Sequence, residues 1–110
     1  MSPYREALTW IEKHPGTGGS NSLAKLVLSL WNGDCAFSFR ECVSNLDEPR
    51  TALALRMVAH FAERGEDSDL VAVGRRVCDL CPRLWDLGEA ASRAKAETER
   101  NWGEQSKSAC

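Results

Sequence analysis

Apolar residues along this chain return every third or fourth position, in runs separated by short stretches rich in glycine, proline, serine and asparagine. That is the period of the α-helix, and the one alternating segment, DCAFSF, is too brief to be a strand. Tyr4, Ala7, Leu8 and Ile11, with Trp10 beside them, predict a first helix capped by Ser2, with Pro3 in its first turn. It stops near His14, ahead of Pro15. Leu23, Leu26, Val27, Leu30 and Trp31, widened by Ala24 and Leu28, predict a second helix that opens at Ser20 or Ser22 and ends at Gly33. Ser38-Phe39-Arg40-Glu41 matches a capping box, with Phe37 placed as its hydrophobic staple. The short helix it starts is expected over 39–46, with Phe39, Cys42, Val43 and Leu46 inward.

The densest run follows. Asp47 is an N-cap, Glu48 and Pro49 suit the first turn, and Arg64 precedes a terminating Gly65. On a wheel of about 100° per residue, Arg56, His60, Glu63 and Ala52 share one narrow stripe. Leu53, Met57, Phe61, Ala54, Val58, Leu55 and Ala59 fill most of the remainder. One thin polar stripe is the mark of a buried helix, so 48–64 is expected to be the central, largely buried helix of the fold.

A fifth helix is expected from Asp67 or Ser68, with Leu70, Val73, Gly74, Val77, Leu80 and Cys81 on one side and Arg75, Arg76 and Asp79 opposite. Pro82 interrupts it. The last helix, about 83–102, carries a seam of Leu84, Leu87, Ala91, Ala94, Thr98 and Trp102, whose small residues permit close approach of a neighbour. The tail 103–110 has nothing to bury and is expected to be disordered. The expectation is therefore an all-α single domain over 1–102, a compact bundle of five to six helices around 48–64.

At 110 residues, 43% apolar and 27% charged, the chain has the composition of an ordinary globular domain. Its net charge of −2 supplies no field for nucleic acid or anionic membrane. No export signal and no run of membrane-spanning length is legible, which points to the cytoplasm. There the five cysteines are expected to be free thiols.

Four features invite chemical readings. Pro15–Ser22 holds three glycines ahead of a helix, but lacks the preceding strand and the lysine of a phosphate loop, so it reads as a linker. Cys78-x-x-Cys81 is a lone pair of thiols beside an apolar face, without a second pair for zinc or a redox fold around it. No metal or cofactor is expected. His60 has no orienting partner in view and reads as a hydrogen-bonded structural histidine. The segment 39–64 resembles a helix-turn-helix in outline, but its second helix shows only Arg50, Arg56 and His60 among apolar positions.

What remains is a surface for another protein. Four tryptophans are generous for this length, and Trp10, Trp85 and Trp102 sit at the edges of their apolar faces. Aromatic residues beside arginines are enriched at binding hot spots. Trp85 with Arg76 and Arg83 is the favoured anchor; Trp102, Arg75, Arg56 and His60 complete the candidate partner-binding set. The alternative use of the tryptophans is to seal helix ends or a homodimer seam. The function expected is a small non-enzymatic interaction module, an adaptor, regulator or inhibitor of a larger complex, with a DNA-binding regulator as the alternative.

Overall fold

The computed structural model describes residues 1–103. Among them are six helices and no strands: α1 (Pro3–Lys13), α2 (Gly18–Trp31), α3 (Phe39–Val43), α4 (Glu48–Arg64), α5 (Ser68–Leu80) and α6 (Pro82–Gly103). The all-α bundle implied by the apolar period is the observed fold. The expected disordered tail lies outside the described residues, except Gly103, which closes α6.

Local chemistry sets most of the helix starts. A side-chain oxygen at each cap takes an N–H that the helix itself leaves unpaired. Ser2 accepts from Arg5, Thr17 from Ser20, Ser38 from Glu41, Asp47 from Arg50 and Asp67 from Leu70. Both halves of the Ser38–Glu41 capping box are formed. Gly65, at φ 70°, ends α4 in a conformation that side chains disfavour.

Two boundaries differ from expectation, for one reason. α2 starts at Gly18, not at Ser20 or Ser22, and α3 stops at Val43 after five residues. Asn45 then turns with φ 61° and lies against the start of α2. A Cβ at Gly18 would come to 3.2 Å from the Asn45 Cβ, and one at Gly19 to 3.3 Å from the Asn45 carbonyl oxygen. These glycines thus give clearance for a packed turn. Beside them the buried Ser22 hydroxyl donates to the Ser44 carbonyl.

The central helix is α2, not the 48–64 helix. α2 packs against each of the other five, and Leu23, Ala24, Leu26, Val27 and Leu28 are buried along it. α4 packs on α1 and α2 through Leu53, Ala54 and Met57. Its opposite side is open: Leu55 is 55% exposed, and Ala52, Ala59 and Ala62 face solvent. Alanine counts as apolar on a wheel, yet it is also the best helix former on a surface, where it has little to bury. α2, by contrast, hides its polar positions as small serines that fit inside a core.

Two aromatic residues also exchange roles. Phe39, expected inward, is 63% exposed, while Phe37 packs on the core from outside α3. Leu80, at the end of α5, is likewise exposed rather than inward.

Candidate protein-binding surface

α6 is the longest helix, at 22 residues, and it is fastened to the body only near its start. Gly88 is its one buried residue. There a Cβ would collide with the Cys35 Sγ and the Phe37 ring, and the Gly88 carbonyl accepts the Ala36 N–H at 2.9 Å. One turn earlier, the Trp85 ring packs on Trp31 of α2, centroids 5.7 Å apart and planes tilted by 49°. Trp31 also lies against Gly74 of α5, where a Cβ would overlap its side chain. The body therefore grips the side of α6 that carries Leu84, Trp85 and Gly88.

The apolar seam legible in the sequence starts on this gripped side at Leu84 and runs on beyond the body. Leu87 is 61% exposed and Trp102 54% exposed, and Ala91, Ala94 and Thr98 between them are all open. Every residue from Arg93 to Gly103 is exposed, so this part of α6 stands clear of the globule. A shallow depression of about 430 Å³ lies along it, lined by Ala94, Lys95, Thr98, Glu99 and Trp102. The charged side chains of α6 form no ion pair among the described residues.

The predicted partner-binding residues do not form one patch. Trp85 is half-buried and committed to Trp31. Arg76 and Arg83 border adjoining hollows of about 420 and 480 Å³ between the α1–α2 linker and the α5–α6 junction, walled by Leu80 and Cys81. Arg76 reaches Glu12 at 3.5 Å there, and Trp85 is not among the lining residues. Arg75 is exposed on α5, and Trp102 lies at the far end of α6.

Arg56 and His60 belong to a polar seam that docks α4. Arg56 holds Glu6 of α1 at 2.6 Å, and the His60 Nε2 lies 2.9 Å from a carboxylate oxygen of Asp67. The His60 ring also meets the edge of the buried Tyr4 at 5.3 Å. The N–H of Leu70 and the His60 contact hold the Asp67 carboxyl below the usual carboxylate range. The stripe Arg56–His60 is thus explained by helix docking, and His60 does have an orienting partner that its own helix could not reveal.

Sequence reasoning missed a second groove, of about 500 Å³, between α1 and α4. Trp10 forms its floor, with the Arg50 guanidinium 3.7 Å from the ring centre and the His14 ring 3.9 Å away. The spacing of Trp10 and His14 could have shown their contact; Arg50 comes from another helix, with no local signal. Arg50 is also tied to Asp47 and Arg56 to Glu6, so the groove's cations are largely compensated.

The thiols offer little nucleophilic chemistry. Burial raises the pKa of Cys42, Cys78 and Cys81, and pushes that of Cys35 up to about 11. A thiol held protonated is a weak nucleophile at neutral pH. Among the described residues no three His, Cys, Asp or Glu side chains gather closely enough to hold a metal, and no helix is long and apolar enough to cross a membrane. Cys110 lies outside them. No family model, curated protein or solved structure matches this chain.

Proposed function

We propose that this chain is a non-enzymatic protein-interaction module, an adaptor, regulator or inhibitor within a larger assembly, and that α6 is its contact element. The observation carrying the proposal is the position of the α6 seam. A helix that packs its own body through Leu84, Trp85 and Gly88 and then carries Leu87, Ala91, Ala94 and Trp102 in line and uncovered has more apolar surface than its fold uses. The spacing of the seam suits a partner helix laid along it, and the alanines let backbones come close.

Two further facts support a binding role over a catalytic one. The histidine nearest the core is tied to a cap carboxylate, and the four described cysteines have raised pKa values. The DNA-binding alternative gains no support from α3 and α4, whose Arg50 and Arg56 are occupied by acids of this chain.

The test is affinity capture with the intact protein as bait, comparing wild type with Leu87→Glu/Trp102→Glu. Both side chains are already in water, so the variant should fold with unchanged circular dichroism. Loss of the captured partner in the variant is the expected result. Capture that is specific and unchanged would remove α6 from the role.

A further inference from the structure

We propose that the trough between the α1–α2 linker and the α5–α6 junction binds the C-terminus of a partner protein, taking an aliphatic last residue together with its free carboxylate. The assignment is independent of the α6 seam. It gives Arg76 and Arg83 a role apart from Trp85.

The two hollows there, of about 420 and 480 Å³, share Gly16, Asn21, Leu80 and Cys81, and so run together as one trough. Small-ligand sites span about 300–1,000 Å³, enough for a terminal residue and the peptide group before it. Its lining divides by chemistry. Ile11, Leu80 and Leu84 supply aliphatic surface. Arg76 of α5 and Arg83 of α6 supply cations. Arg76 reaches Glu12 only at 3.5 Å, the outer limit of a hydrogen bond, and Arg83 forms no ion pair among the described residues.

Two cations beside one acid leave the trough one positive charge in excess, in a chain whose net charge is −2. The first turn of α6 brings the positive end of its dipole to the same place. A single excess charge suits a monoanion such as a carboxylate. The second charge of a phosphate ester would have Glu12 for a neighbour.

Ser20 is the independent sign of an occupant. It is the most buried residue of the lining, 2% exposed, and its hydroxyl has no hydrogen-bond partner among the described residues. Buried hydroxyls are nearly always paired, so this one calls for a group that the described chain does not supply. Asn21 follows it, half-buried, with an amide that both donates and accepts. A peptide group presents a carbonyl and an N–H side by side and can satisfy the two together. A free aliphatic acid has no such group, which favours the end of a chain over a small metabolite.

N-acetyl-L-leucine is the smallest probe that carries all three parts, and amide shifts of the isotope-labelled full-length protein report where it binds. Saturable shifts at Ser20, Asn21, Cys81 and Arg83 are expected, in the millimolar range proper to so small a ligand. N-acetyl-L-leucinamide lacks the charge and isocaproate lacks the peptide group; each should bind about tenfold more weakly. Arg76→Gln/Arg83→Gln changes two exposed side chains and should weaken the acid by about the same factor. Ser20→Ala should also weaken it while leaving the unfolding midpoint no lower, because the lost hydroxyl was unpaired and alanine favours the helix.

Absence of saturable shifts with N-acetyl-L-leucine overturns the site. Equal binding of the amide overturns recognition of a carboxylate. Equal binding of isocaproate overturns the chain end in favour of a free acid. Binding that neither the arginine variant nor Ser20→Ala weakens places the ligand outside the trough and removes the assignment.

Discussion

Gly88 of α6 sits directly against Cys35, so closely that a methyl group on Gly88 would occupy the space of the sulfur. The contact joins the long helix to the segment linking α2 and α3, and the Ala36 N–H bonded to the Gly88 carbonyl secures it. Alanine would gain up to about 1 kcal/mol of helix propensity at this position. Overpacking of a tight contact costs about 1–3 kcal/mol, and the buried Cys35 sulfur and the half-buried Phe37 ring stand in the way. Gly88→Ala is therefore expected to lower the midpoint of urea unfolding; a raised midpoint would show that the seat is loose.

Replacing a leucine of α2 and one of α4 measures which helix is central. Leu28→Ala removes a fully buried side chain and is expected to cost about 2–5 kcal/mol. Leu55→Ala, on the open side of α4, is expected to stay within about 0.5 kcal/mol. Equal losses in chemical denaturation would restore α4 to the centre.

The Tyr4 ring is fully buried and its hydroxyl finds no hydrogen-bond partner among the described residues. Burial also raises its pKa. Removing an unpaired buried polar atom takes away its desolvation penalty while the packing of the ring is kept. Tyr4→Phe should hold stability or raise it by up to about 1 kcal/mol, read from thermal and urea unfolding together.

Asp67 caps α5 and holds His60, and its carboxyl titrates below the ordinary carboxylate range. A group with a lowered folded-state pKa stabilises the fold above its unfolded value of about 3.9. That contribution fades as pH falls from there through the lower folded value. Asn can still cap the helix but carries no charge to titrate. Asp67→Asn should therefore flatten the acid limb of the stability–pH curve, with a smaller change near neutrality. A variant whose acid limb matches wild type would assign the limb to other carboxylates, such as Asp47 and Glu41, which are also lowered.

Cys35 and Cys42 are buried with raised pKa values, so at neutral pH they should resist alkylation in the folded protein. Peptide mapping after brief iodoacetamide treatment should find them unmodified until denaturant is added. Rapid labelling in the native state would mean that this part of the core opens readily.

The helices were legible because their ends are written in short-range chemistry: Ser2, Ser38, Asp47 and Asp67 each act within three residues. The choice of hub was not, because periodicity counts Leu55 and Ala59 as apolar helix face whether or not anything covers them, and here they lie on the open side of α4. The seam of α6 was also legible, but not the fact that the body would leave it empty. That depended on Trp85 and Gly88 finding Trp31 and Cys35, contacts between residues distant in sequence. For the same reason the grouping of Trp85 with Arg76 and Arg83, neighbours along the chain, does not survive as a single patch in space.

Attachment at one end also gives α6 a mechanical property. At the helical rise, Trp102 stands about 21 Å along the axis from Gly88. A load applied at the tip reaches the Gly88 seat as torque, magnified by the length of the arm. The seat bears on Cys35–Phe37, the short connector between α2 and α3, so the first element to feel that torque is the segment leading back to the helix on which the others rest.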